Sequence, residues 1–289
     1  MDDVLVARAI DAVTAAAAAM DLDSSQVRII QNSTKLSLGL QPCDVFARVA
    51  PIGQVGQLAR EVELAQQLTA VGAPVVALDP RMEPRVYQLD GFAVTWWTFH
   101  DTRHDTTHNG DLTRSEYATA LAHIHAGMRT IAVETPHFHD RVAEAEDLVT
   151  NPDQTPALDS GGRELLVATL TTCRESISRS AAVEQLLHGE PHPGNILNTS
   201  IGPLFIDLET ACRGPVEFDL AHVPREVSET YSDVDRDLLE DCRRLVLAMV
   251  AAWRWDAADE FPNGLHHGRT ILEHLRQGPP WPTIGELSS

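Results

Sequence analysis

His188-Gly189-Glu190-Pro191-His192-Pro193-Gly194-Asn195, followed by the apolar run Leu204-Phe205-Ile206 and then Asp207, holds the densest concentration of chemistry in the chain. Glu190 can accept a proton from a hydroxyl. Asn195 follows it after four intervening residues, and Asp207 ends a short β-type run. The amide and this second carboxylate are hard oxygen donors, which suit Mg2+; that ion needs only one or two protein groups beside phosphate and water. A base, a metal-binding amide and a metal-binding carboxylate are the parts of a phosphoryl-transfer site, where positioning and charge neutralisation supply most of the catalysis.

The interval from base to Asn matches that of the protein-kinase catalytic loop, whose metal-binding Asp also follows on a later strand. The sequence resembles the aminoglycoside phosphotransferase family, small-molecule kinases related in fold to choline kinases and protein kinases. Carrying the resemblance are His188-Gly189-Glu190 through Asn195, Ile206-Asp207, Arg213-Gly214-Pro215 and Phe218-Asp219-Leu220-Ala221; Ala122-His123-Ile124-His125-Ala126 resembles the family's helix behind the loop. It implies an α+β, bilobal protein-kinase-like fold with a small β-rich N-terminal lobe and a larger, mostly helical C-terminal lobe. It also implies transfer of the γ-phosphate of ATP or GTP to a hydroxyl of a small polar molecule, with an aminoglycoside or amino sugar among the acceptors.

In that family the residue after His-Gly is normally Asp, and here it is Glu190. The added methylene moves the carboxylate by about 1.5 Å on an unchanged backbone. A misplacement near 1 Å can cost on the order of 10²-fold in rate. Either the loop is set back and Glu190 serves as the base, or the chain is a catalytically silent, nucleotide-binding pseudokinase with a regulatory role.

The resemblance assigns nucleotide contacts as well. Arg48, in Val45-Phe46-Ala47-Arg48-Val49, falls where a kinase strand carries its phosphate-binding Lys, and a guanidinium can fork onto phosphate oxygens. Glu61 is its expected partner, with Glu63 the alternative. Lys35, the only lysine, lies in the turn Gln31-Asn32-Ser33-Thr34-Lys35, as a second phosphate contact or as one exposed side chain. Trp96 and Trp97 end the last N-terminal strand, where this fold lines its adenine pocket; ordinary packing is the alternative. Glu209 either supports a second metal or is a turn carboxylate. Glu226, Glu229, Asp233 and Asp235 are candidates for binding ammonium groups of a cationic acceptor, against a reading as a solvated helix entrance.

Two histidine patterns raise a rival, a metal-dependent hydrolase. His188 to His192 superficially matches a zinc-binding HExxH motif, which requires a helix that Gly189 and Pro191 oppose. His100, His104 and His108 recur every fourth residue, yet their Asp, Thr and Gly neighbours favour a loop.

With 289 residues, 43% of them hydrophobic, the chain can form one large domain or two lobes. A formal net charge of −20 argues against a nucleic-acid partner, which needs a basic stripe. The acidic start Met1-Asp2-Asp3 and the short run Ala15 to Ala19 suit neither an export signal nor a membrane segment, so a cytoplasmic protein is expected, with no membrane partner and no evident protein partner. Cys43, Cys173, Cys212 and Cys242 are scattered and read as reduced thiols.

To position these residues, hydrophobic spacing predicts a helix over Asp3–Met20 and strands at Val27–Ile30 and Val45–Val49, separated by a polar stretch from Asn32 to Pro42. A helix over Gln57–Ala70 follows, then strands at Val75–Leu78, Arg85–Leu89 and Phe92–Trp97. The polar segment Thr98–Gly110 marks the lobe junction, giving a nucleotide-binding lobe over 1–97 and a catalytic and substrate-binding lobe over 98–289. Helices are expected at Leu112–Met128, Arg141–Val149, Arg163–Ser178, Asp235–Trp255 and Leu265–Arg276, with short strands around Ile196 and Phe205.

Overall fold

The computed structural model describes residues 1–100 and 112–287. His104, His108 and most of the expected junction lie outside the described residues. Two compact units are formed, Met1–Leu112 with Ala126–Val133 and Leu197–Glu209, and Thr113–His125 with Glu134–Ile196 and Thr210–Ser289.

In the first unit, helix α1 (Asp3–Ala19) begins where the Asp2 carboxylate accepts the Leu5 N–H at 2.8 Å. Its buried residues Val6, Ala9, Val13 and Ala17 recur at helical spacing and form one face. That face packs on a five-stranded antiparallel sheet made of β1 (Gln26–Asn32), β2 (Leu36–Gln41), β3 (Val45–Pro51), β4 (Tyr87–Leu89) and β5 (Phe92–Thr98), in the order β1-β2-β3-β5-β4. Helix α2 (Val55–Ala70) follows β3 and buries Leu58, Val62, Ala65 and Leu68.

The sequence reading missed β2, having taken Asn32 to Pro42 as a turn. Leu36, Leu38 and Leu40 alternate along it and are fully buried in the core beneath α1, so the true turn is only Ser33 to Lys35. Val75–Leu78 was expected as a strand and is instead an extended segment with isolated bridges, Val75 to Phe205 and Leu78 to Trp97.

The second unit is mostly helical. The further elements, in chain order, are α3 (Arg114–Met128), α4 (Phe138–Thr150), α5 (Ser160–Arg179), β6 (Glu184–Leu187), β7 (Ile196–Thr199), β8 (Gly202–Phe205), β9 (Cys212–Pro215), α6 (Val216–Leu220), α7 (Arg225–Ser228), α8 (Arg236–Arg254), α9 (Gly264–Gln277) and α10 (Ile284–Leu287); of these, β8 and all of β7 but Ile196 fall in the first unit. Helix α8 is the axis of the core: Leu238, Leu239, Cys242, Leu245, Val246, Met249 and Ala252 are buried on it, and α4, α5 and α9 pack against it. The antiparallel pair β6 and β9, in register Leu187 to Cys212, delivers the chain into His188. Neither of these strands was anticipated. Among the described residues no helix is long and apolar enough to cross a membrane.

Replacing Leu38 with Ala should lower unfolding free energy by about 2–5 kcal/mol, as expected for a fully buried leucine. The same change at Ile29, 47% exposed on edge strand β1, should stay within about 0.5 kcal/mol. Urea unfolding of both variants checks this pair.

Candidate active site

In the first unit, β3 turns Val45, Ala47 and Val49 toward α1, so Arg48 points to the other face, where α2 lies. There Arg48 Nη1 donates to Glu61 Oε1 at 2.7 Å and Nη2 donates to Asp207 Oδ1 at 3.0 Å, with Glu209 Oε2 at 3.6 Å. Glu63, one position past Val62, is exposed and accepts from Gln67 instead. Lys35 is buried, and its ammonium is paired with Glu209. The reading of Lys35 as an exposed side chain is therefore corrected: the turn folds it inward onto a carboxylate. Five charged groups, Lys35, Arg48, Glu61, Asp207 and Glu209, thus form one cluster.

The electrostatics of this cluster follow from burial and neighbours. Burial pushes the Glu61 carboxyl above its ordinary value, and the Arg48 charge opposes that shift without cancelling it. The Lys35 ammonium is lowered to about 8, first by burial and then by the nearby Arg48, against the pull of Glu61 and Asp207. Burial disfavours charge on Arg48, but Glu61 and Asp207 hold it firmly protonated. Asp207 sits at φ 65°, in the left-handed region, a conformation that Asp tolerates better than most side chains.

Trp96 is packed in the core with α1 and meets Tyr87 edge-on, at 6.1 Å between ring centres. Its indole is thus taken up by packing. Trp97 is also buried, and its Nε1 donates to Thr95 Oγ1 at 2.9 Å.

The second unit holds Glu190 and Asn195. Asp219, completely buried, accepts the His188 N–H at 2.9 Å, the Gly189 N–H at 2.8 Å and a bond from His125 Nε2 at 2.9 Å. His125 Nδ1 in turn lies 2.6 Å from the Tyr231 hydroxyl, an arrangement met by an imidazole carrying its proton on Nε2. Burial alone would raise the Asp219 carboxyl, but the hydrogen bond from His125 and the backbone donors bring it below its ordinary value. Gly189, at φ 90°, passes so close to the Thr210 carbonyl oxygen that an added Cβ would collide with it.

Beyond Gly189 the loop is held by its own residues. His188 Nδ1 accepts the Glu190 N–H at 3.4 Å, the Tyr117 hydroxyl donates to Pro191 O, and Asn195 Nδ2 donates to Glu190 O at 3.0 Å. The Asn195 amide is thereby oriented with its oxygen free of that bond. The Glu190 carboxylate is paired with Arg141. Burial opposes its charge, yet the Arg141 guanidinium holds the carboxyl below the usual range. His222 is buried and lowered to about 4 by that burial.

His188 and His192 lie on no helix, and His192 Nδ1 accepts the Gly194 N–H at 3.0 Å. Among the described residues no group of three or more His, Cys, Asp or Glu could hold a metal by themselves. Glu226 is exposed and paired with Arg114 at 2.9 Å, Glu229 and Asp233 are exposed, and Asp235 caps α8 by accepting the Asp237 and Leu238 N–H groups. Sequence reasoning missed the roles of Arg141, Tyr117 and Asp219. Only Asp219 carried a signal, a carboxylate set in the apolar run Phe218 to Ala221.

Asp219→Asn should cost about 3–5 kcal/mol of stability at pH 7, because it leaves buried donors facing an amide. A depressed carboxyl contributes stability above its unfolded value and loses it as pH falls through the folded value. The gap between wild type and variant, read by urea unfolding, should therefore narrow below about pH 4.

A model of the phosphotransferase enzyme family matches residues 23–261, which include Lys35, Arg48, Glu61, Glu190, Asn195, Asp207, Glu209 and Asp219. No curated protein sequence matches the chain. Among solved structures, amicoumacin kinase hAmiN, in complex with AMP-PNP, Ca2+ and Ami, is similar with a TM-score of 0.71 at 12% identity, covering 100% of both chains. Choline kinase LicA from Streptococcus pneumoniae gives 0.66 at 14% identity, over 92% of this chain and 98% of that one. Spectinomycin phosphotransferase APH(9)-Ia, with ADP and spectinomycin, gives 0.63 at 13% identity, over 87% and 93%. These likenesses identify the protein-kinase-like fold, and the extent of the family match gives the conclusion that this chain belongs to the phosphotransferase enzyme family.

Proposed function

We propose that the chain transfers the γ-phosphate of ATP or GTP to a hydroxyl of a small polar molecule, an aminoglycoside or amino sugar in the first instance. The supporting observation is Arg48, held at 2.7 Å from the buried Glu61 and at 3.0 Å from Asp207. That arrangement fixes a forked cation beside a strand-end carboxylate, as a metal-bound triphosphate requires. Arg48, oriented by Glu61, steadies the α- and β-phosphates, and Lys35 adds a second cation from the turn. Strand β5, which carries Trp96 and Trp97 near its end, lines the adenine pocket through its backbone. Residues 1–97 act as the nucleotide lobe and 98–289 carry the catalytic loop and the acceptor site.

The donor chemistry fits Mg2+. Asp207 and Asn195 offer a carboxylate and an amide oxygen, and in the first unit three carboxylates (Glu61, Asp207, Glu209) stand against two cations, an excess that a divalent ion offsets. When bound, Mg2+ would supply neutralisation of the charge that develops during transfer. Glu190 orients the acceptor hydroxyl and takes its proton. Glu226, Glu229 and Asp233 supply negative charge toward a cationic acceptor. The reaction belongs in the cytoplasm, where nucleoside triphosphates are held, and phosphorylating an antibiotic would confer resistance to it.

A mass-spectrometric screen of aminoglycosides, amino sugars and related hydroxyl compounds, run with Mg-ATP and with Mg-GTP, tests this reading. A product heavier by one phosphate should form with wild type, vanish on chelation of Mg2+, and fall by about 10²-fold or more in Glu190→Gln. Nucleotide binding without product on any acceptor would instead favour the silent, regulatory protein.

A further inference from the structure

Glu190 is fastened at both ends. Its backbone N–H is accepted by His188 and its carbonyl takes the Asn195 amide, while its carboxylate is engaged by Arg141 from the first turn of α4. The guanidinium that engages it is itself immobilised. Arg141 lies with its Cζ 5.0 Å from the centre of the Trp253 ring on α8, and its Nη1 reaches Gly189 O at 3.5 Å. Its side chain is 15% exposed, so it is a fitted part of the unit and not a mobile surface cation.

Resting on the phosphotransfer reading above, we infer that Arg141 is a positioning residue that fixes the reach of Glu190. A free glutamate has one more rotatable bond than an aspartate and spreads its carboxylate over a wider volume. Arg141 removes that freedom by holding one carboxylate oxygen and leaving the other to the acceptor. The match is one of length. An aspartate at position 190 retracts the carboxylate by about 1.5 Å, which opens the contact beyond hydrogen-bond range.

The test is a double-mutant cycle of Arg141→Ala, Glu190→Asp and both together, with Arg141→Lys as the conservative variant. The probe is Mg-ATP, with water as the acceptor, and Mg-AMP-PNP binding is measured by calorimetry on the same proteins. Arg141→Ala and Glu190→Asp should each lower kcat on the order of 10²-fold, the double variant should lose no more than either, and KM for Mg-ATP should stay within about twofold. Millimolar guanidinium ion should restore part of the kcat of Arg141→Ala, and Arg141→Lys should fall between the two.

Unchanged or increased kcat in Arg141→Ala, losses that multiply in the double variant, or a parallel loss of AMP-PNP affinity would each overturn the inference. Should Arg141→Ala fail to fold, Glu190→Asp and Arg141→Lys decide it by the same kcat and KM criteria. A wild type that binds nucleotide but turns over neither water nor any hydroxyl acceptor of the screen overturns the phosphotransfer reading and this inference with it. An active wild type that is indifferent to Arg141 overturns this inference alone.

Discussion

Asp219 is a carboxylate sealed from water, and it can keep its charge there only by collecting donors. The donors it collects are the backbone N–H groups of His188 and Gly189, together with His125 from α3. One buried charge therefore dictates the path of the chain just before Glu190. Gly189 permits that path by accepting a positive φ against the Thr210 carbonyl, and Tyr117 secures the far side through Pro191. The placement of the loop that carries Glu190 is a consequence of this hidden anchor.

The first unit solves a related problem differently. Arg48 and Glu61 belong to adjacent elements, a strand and the helix after it, so their meeting is set by the alternation of the strand and the pitch of the helix. Asp207 and Glu209 come from far along the sequence and join the same group. Local geometry fixes the first two, and tertiary structure brings the other two to them.

That distinction explains what could be read in the sequence. Helical periodicity located α1, α2 and the long helices of the second unit, and loop spacing singled out Glu190, Asn195 and Asp207. Arg48 and Glu61 were singled out through the family resemblance, and the hydrogen bond between them is the structure's contribution. Strand β2 was missed because its leading turn residues drew attention from the alternation of Leu36, Leu38 and Leu40. The segment Val75–Leu78 has strand-like residues but only isolated partners. Arg141 gave no sign at all: its contact with Glu190 spans 49 positions and depends on how α4 and α8 pack. Trp96 could have faced either side of its strand, and only the presence of α1 settles that the indole belongs to the core.

The inward fold of Lys35 has a further consequence. Because it is the chain's sole lysine and is engaged by Glu209, every basic side chain on the exterior is an arginine or a histidine. Enzymes that acetylate, methylate or ubiquitinate lysine find no ε-amine on this surface to write on, and the exterior positive charge, being guanidinium, persists through alkaline pH.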